Sequence, residues 1–339
     1  LGGGAAKDMA YLSLRSLVDP NYLDPAVDVV SRLLREPAFS TADLERERAR
    51  MLTGVAARRQ SPGELAQVAF NETLYGDHPY ATPPDGYEAS LKTITGRDVR
   101  AFHQRYYVGS NLVIAIVGDL DRSAAARLAE ALTGGLPTGE AAPALPEVKR
   151  LGEGQTVHIS HPSSQSHVLM GQVGIQRGNP HYYALYLGNH VLGGSGLVSL
   201  LAEEVREKRG LSYSVYSYFA PMAAQGPFVM GLQTRTDQTG EAIEVLQETL
   251  AGFVAQGPEA QALEAARQNI TGGFPLRLDS NAKIVQYLAA IGFYDLPLDY
   301  LEVFPQRIES LTRAQVTEAL QSHLRPEQLL TVIVGGDGS

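Results

Sequence analysis

Gln328-Leu-Leu-Thr-Val-Ile-Val-Gly335 is a run of apolar and β-branched residues closed by glycine, the pattern of a buried strand. Just upstream, Thr312-Arg-Ala-Gln315 has the spacing of a helix-capping box, and Val316 and Leu320 continue it as a helical stripe. The same order occurs 217 positions earlier. Thr95-Gly-Arg-Asp98 offers the box, Val99, Phe102 and Tyr106 the stripe, and Asn111-Leu-Val-Ile-Ala-Ile-Val-Gly118 the strand. Working outward, Asp19 precedes a helix with Ala26, Val29, Val30 and Leu33 on one face, and Asp237 precedes one with Ala242, Val245, Leu246 and Leu250. Leu44-Glu45 with Arg48 likewise parallels Leu263-Glu264 with Arg267. The chain reads as a duplicated αβ plan.

Each half runs from strands through several helices to a final strand. Period-two alternation marks half-buried strands at residues 11–17, 212–218 and 228–236. Ser61-Pro62-Gly63-Glu64 supplies an N-cap, a proline at the first helical position and an early acid, ahead of the stripe Leu65, Ala66, Ala69, Phe70 and Leu74. Residues 134–154 are rich in Pro, Gly and Ala with little periodicity and read as a linker. The expected fold class is therefore α+β, with two homologous αβ domains, 1–146 and 147–339. Each is expected to hold a mostly antiparallel or mixed sheet with helices packed on one face. The opening Leu-Gly-Gly-Gly-Ala-Ala-Lys-Asp8 enters an alternating stretch without a starting Met, so the first domain reads as incomplete at its start.

Composition bounds the function. A length of 339 residues, with 44% hydrophobic and 19% charged residues, is that of an ordinary globular chain of about two domains. A net charge of -9 argues against nucleic acid, whose binders carry a basic footprint. The absence of cysteine excludes disulfides, thiolate metal sites and a cysteine nucleophile. The apolar run Leu112 to Val117 is far short of the roughly 18 residues of a membrane span.

No phosphate loop, dinucleotide fingerprint or nucleophile elbow occurs. The one glycine-rich stretch, Gly193-Gly194-Ser195-Gly196, lies between two helical stripes and reads as a helix end and turn. None of the eight histidines forms His-Glu-x-x-His or its inverse. His158 and His161 are three apart on an expected strand and so point to opposite faces. All eight read best as solvated or locally hydrogen-bonded.

The segment from Gly193 to Ser217, which includes Glu203-Glu-Val-Arg206-Glu-Lys-Arg-Gly-Leu-Ser-Tyr213, closely resembles the C-terminal-half signature of the pitrilysin/insulinase peptidases, which are inverted zincins. The resemblance spans nearly the whole chain, including Asn179-Pro180, Gly226-Pro-Phe and Tyr75-Gly-Asp-His-Pro-Tyr80. It implies that Arg206 and Tyr213, seven positions apart, form a pair facing a zinc site. A guanidinium and a phenol are hydrogen-bond donors, suited to peptide carbonyls and a developing oxyanion. On the residues alone, Arg206 also fits a helix end and Tyr213 a strand aromatic beside Tyr216 and Tyr218. Arg209 is the nearest rival cation.

Matched to the family's zinc helix through Glu45-Arg-Glu-Arg48, the third-ligand position falls on Gly54 and a further acidic position on Ser61. Neither can coordinate as the family requires. Glu45 and Glu47 become candidates only in a shifted match, and the family's two histidines would lie upstream of Leu1. The resemblance thus implies a non-zinc subunit, inactive alone, with the zinc in a homologous partner and unfolded peptides as substrates. It also implies a periplasmic or cell-envelope location, with the cytoplasm as the alternative. A purely structural subunit and a truncated active zinc peptidase are the competing readings.

Overall fold

The computed structural model describes residues 1–336. The chain opens with strands β1 (Gly2–Ala5) and β2 (Ala10–Ser13), then helices α1 (Pro20–Arg35), α2 (Thr41–Arg58), α3 (Pro62–Tyr75), α4 (Glu88–Thr93), α5 (Gly96–Tyr106) and α6 (Arg122–Thr133). Strands β3 (Gln155–Ile159) and β4 (Gln165–Val173), helix α7 (Tyr182–Asn189) and strands β5 (Val215–Phe219) and β6 (Pro227–Arg235) follow. Helices α8 (Thr239–Gln256), α9 (Ala260–Gly273), α10 (Asn281–Phe293), α11 (Tyr300–Glu309) and α12 (Arg313–His323) lead to β7 (Leu330–Val334). The architecture is α+β with a mixed sheet.

The helices begin where the sequence offers caps. Ser61 accepts from the Glu64 amide at 3.4 Å ahead of Pro62, and Asp19 accepts from the Asn21 amide at 2.9 Å ahead of Pro20. Thr95 with Asp98 and Thr312 with Gln315 close reciprocal boxes at the starts of α5 and α12. The duplication also extends to tertiary detail. Arg48 on α2 pairs with Glu45 at 3.1 Å and donates to the carbonyls of Leu91 and, at 2.6 Å, Ile94. Arg267 on α9 pairs with Glu264 and donates to the carbonyl of Leu311 at 2.8 Å. Ile94 and Leu311 each stand one residue before the capping threonine, so both halves carry the same guanidinium clip.

The chain forms two compact units whose membership does not follow sequence order. One comprises Leu1–Ala56, Pro84–Ala144 and Leu276–Pro297; the other comprises Ala57–Pro83, Leu145–Pro275 and the residues from Leu298 onward. The break near 144 lies close to the expected boundary at 146/147, but two segments cross it in opposite directions. Displaced by 217 positions, α3 falls on 279–292, which overlaps α10. The two repeats have therefore exchanged equivalent helices, which corrects the simple division into 1–146 and 147–339.

The second unit holds a five-stranded sheet in the order β3-β7-β4-β6-β5, with β3 parallel to β7 and the other pairs antiparallel. Its longest ladder, β4 on β6, runs from Gln165↔Arg235 to Val173↔Pro227. Helix α3 lies on one face, where Phe70 and Leu74 are buried among Leu169, Val229 and Val332. The alternate residues Val168, Met170, Met230 and Leu232 are also buried. Their face is covered by α7 and α8, against which α12 packs. Helices from the second half of the sequence thus sit on one face, as expected of that half, while the other face is covered by a helix from the first half. Tyr75-Gly-Asp-His-Pro-Tyr80 serves that attachment. The Tyr80 hydroxyl accepts from the Ala224 amide at 2.9 Å, the Tyr75 hydroxyl donates to the Gln225 carbonyl at 3.2 Å, and His78 Nε2 donates to the Pro146 carbonyl at 3.2 Å.

The first unit has a smaller core around Val27, Val30, Val55, Leu91 and Val108, and its strands β1 and β2 pair only as an exposed antiparallel hairpin. Residues 111–118 form no strand, contrary to expectation, and Val113 and Ile114 are 44% and 36% exposed. The physical reason is pairing. The equivalent β7 lies between β3 and β4, whereas 111–118 joins no ladder among the described residues. Local β-propensity without a neighbour does not make a strand.

At the junction of α7 and α12, His181 Nδ1 and His323 Nε2 are 3.0 Å apart. The His323 Nδ1 atom is buried without a partner, so the less costly tautomer has Nε2 donating and leaves Nδ1 as a lone pair. Burial, then His181, Arg150 and Arg325, push the His323 imidazole below its ordinary value of 6.5. The unfolded chain therefore binds more protons between that depressed value and 6.5, and stability rises with pH across this window. Urea midpoints should fall as pH drops below 6.5, and His323→Gln should flatten the dependence. An unchanged pH profile in that variant would remove the assignment.

Candidate functional site

The expected site is built by the connection from α7 to β5. After α7 the chain makes a π turn at His190–Gly194, closed by the Ser195 amide on the His190 carbonyl at 3.1 Å. A Cβ at Gly193 would fall 2.4 Å from Ser217 Oγ and 2.6 Å from Ser217 N, so only glycine permits this approach to β5. The contact is locked by Asn189, whose Nδ2 donates to the Ser217 carbonyl at 3.0 Å while its Oδ1 accepts from Ser217 Oγ at 2.7 Å. The glycine pair thus acts chiefly as a packing device, a role its local helix-end reading did not reveal. It also ties up a carbonyl of the edge strand β5.

A second helical segment follows, its buried side formed by Leu201, Ala202 and Val205. It ends as a π turn over Ala202–Glu207, in which the Lys208 amide reaches the Glu203 carbonyl at 2.9 Å. Such turns are rare and often occur at functional sites. Gly210, at φ 63°, reverses the chain, and the amides of Gly210 and Leu211 close on the carbonyls of Arg206 and Val205, both at 2.9 Å. Tyr213 therefore stands in a bend two residues before β5, not on the strand where alternation placed it. Ser212 fixes that bend by donating from Oγ to the Ser214 carbonyl at 2.8 Å.

The reversal brings the expected pair together: Arg206 Cζ lies 5.1 Å from the centre of the Tyr213 ring. A cation–π contact of this exposed kind contributes about 0.5–1 kcal/mol. Tyr213 is 84% exposed, and the Arg206 side chain, 30% exposed, has an ion pair with Glu207 at 3.4 Å. The neighbouring cations are engaged elsewhere. Arg209 donates to the Glu204 carboxylate at 2.7 Å and to its carbonyl at 2.8 Å, and Lys208 pairs with Glu204 at 2.7 Å and Glu203 at 2.9 Å. The hydrogen bonds from Lys208 and Arg209 hold the Glu204 carboxyl below its ordinary range. Glu204 thus separates the roles of the two arginines, which sequence spacing alone could not do. The structure also leaves Leu197 and Val198 exposed on the preceding turn.

Gly54 sits inside α2 with nothing within 4 Å of where a Cβ would be. Glu45 pairs with Arg48 at 3.1 Å and Glu47 with Arg50 at 2.7 Å. Among the described residues no three His, Cys, Asp or Glu side chains gather as a metal site would require. The residues present do not fit zinc, and no step of catalysis is assigned to a metal in this chain. Since nothing crowds Gly54, Gly54→Ala is expected to stabilise α2 by about 1 kcal/mol in urea denaturation. A destabilised variant would point to a neighbour or a backbone conformation that needs glycine there.

These features give an α+β fold in which α2 carries glycine at position 54 and one exposed turn stacks Arg206 on Tyr213. The family model described as peptidase M16 inactive domain matches residues 93–270. The crystal structure of a peptidase M16 inactive domain from Pseudomonas fluorescens superposes with a TM-score of 0.95 at 40% identity, covering 98% of this chain and 80% of that one. An uncharacterized zinc protease of Streptomyces coelicolor is 29% identical over 266 residues, 77% of this chain and 58% of that protein. A non-peptidase homolog of Helicobacter pylori is 23% identical over 317 residues, 92% of this chain and 72% of that protein. The chain belongs to the peptidase M16 inactive domain family, in agreement with the resemblance to pitrilysin/insulinase peptidases. It spans little more than half the length of the Streptomyces relative.

Proposed function

We propose that this chain is the non-zinc subunit of a two-chain peptide-degrading metalloendopeptidase, lending Arg206 and Tyr213 to the active site of a homologous zinc-bearing partner. The observation that carries this reading is the stacking of Arg206 on Tyr213 at an exposed turn, with both neighbouring cations committed to Glu204. The fork of Arg206 orients a substrate carbonyl, and the phenol of Tyr213 donates to the oxygen that gains charge as the carbonyl is attacked. Zinc belongs to the partner in this proposal. The substrates are unfolded peptides, whose extended backbones present repeated carbonyls to such donors.

The test is co-purification with a candidate zinc-bearing relative, followed by peptide-cleavage assays of each chain alone and of the mixture. Activity confined to the mixture is expected. Stoichiometric zinc and hydrolysis by this chain alone would overturn the proposal. Hydrolysis by the mixture that is indifferent to Arg206 and Tyr213 would favour a structural subunit, the reading that the name of the Helicobacter relative supports. The same proposal places the complex in the periplasm or cell envelope, on the family resemblance and the cysteine-free composition. Recovery of the chain in the cytoplasmic fraction would remove that part.

A further inference from the structure

In the first unit a cavity of about 350 Å³ opens beside the start of α5, its wall including Phe39, Glu45, Arg48, Lys92, Arg97 and Arg100. The duplication shows what fills the corresponding space in the other repeat. There Arg313, the first residue of α12, runs its guanidinium to the carbonyls of Gln256 and Pro258, both at 2.7 Å. The position 217 residues earlier is Gly96, the first residue of α5, which has no side chain to send. Arg100, one turn further along, leans into the space instead, with Nη1 3.3 Å from the Phe39 carbonyl and Nη2 3.3 Å from where a Cβ on Gly96 would be.

Four basic side chains and one carboxylate line this hollow, in a chain whose net charge is -9. Arg48 is held by Glu45 and two backbone carbonyls, and Lys92 pairs with Glu88 at 2.6 Å. That leaves Arg97, in the field of the Asp98 carboxylate, and Arg100, which spends one donor on the Phe39 carbonyl, to meet a ligand with their remaining donors. The α5 helix end contributes little, because Thr95 and Asp98 already cap it. Concave walls with an excess of positive charge concentrate the field inside them, and a guanidinium suits planar carboxylate or phosphate oxygens. We propose that this cavity is a binding site for a small polyanion carrying carboxylate or phosphate groups, formed where the first repeat has lost the arginine that plugs the second.

The test uses the full chain at low ionic strength, with citrate and pyrophosphate as probes in isothermal titration calorimetry. Saturable binding of one equivalent is expected, with the tighter probe distinguishing carboxylate from phosphate chemistry. Arg100→Gln should weaken it about tenfold, the effect of one charge-assisted hydrogen bond. Gly96→Arg is the discriminating variant. It adds a positive charge yet refills the hollow, so binding at the cavity should be lost, whereas mere attraction to surface charge should increase. Urea midpoints confirm that both variants fold. Absence of saturation, or binding equal to that of the parent in both variants, would overturn the site.

Discussion

Phe70→Ala should cost about 3–5 kcal/mol and loosen the five-stranded sheet of the second unit, although Phe70 lies far toward the other end of the sequence. Phe70 is completely buried, and its ring rests on the backbone of β4, where a Cβ at Gly171 would come within 2.9 Å of it. Leu74, Leu169, Val229 and Val332 complete its surroundings. A truncation to alanine leaves a cavity that a sheet stiffened by β6 and β7 cannot collapse to fill. Urea denaturation followed by circular dichroism should show the loss, with exposed Glu248→Ala on α8 as a neutral control. The same reasoning predicts that a fragment starting at Glu147 does not fold alone, because it lacks α3 and the tyrosines that tie it down. A parent-like midpoint in Phe70→Ala, or a cooperatively folded fragment from Glu147, would refute the exchange of helices.

In the two-chain peptidase proposed above, Arg206→Ala removes the fork that orients the substrate carbonyl and is expected to lower kcat/KM about 10²-fold, the usual effect of misplacing a reacting group. Tyr213→Phe keeps the ring under the guanidinium and removes only the hydroxyl. It therefore separates stacking from donation, and a loss in kcat of about 10²–10³-fold, the usual effect of removing one oxyanion donor, is expected with little change in KM. Arg206→Lys keeps the charge but not the planar fork and should rescue little. Size-exclusion profiles should show that all three variants still assemble. Unchanged hydrolysis in Arg206→Ala and Tyr213→Phe would confine the pair to a structural role at the helix end.

Much of this was legible before any coordinates. The capping threonines, the Ser61-Pro62 helix start and the 217-residue repeat are written in short spacings, because caps and helical stripes are satisfied within a few residues. That Arg206 and Tyr213 would meet was legible through the family resemblance of the segment that holds them.

Other features depended on partners distant in sequence. An apolar stripe records that a helix must be buried, not against which sheet, so the stripe of α3 gave no sign that it belongs with β4 and β7 of the other half. The strand pattern at 111–118 met the same limit, since a ladder needs a neighbour and propensity supplies none. Gly193 looked like a turn residue until Ser217 came within reach of it. Tyr213 left its strand because the reversal at Gly210 needed extra residues before β5. The sequence alone determined the kinds of elements and their ends; tertiary structure decided which surfaces meet, because contact energies belong to pairs of residues that local pattern cannot bring together.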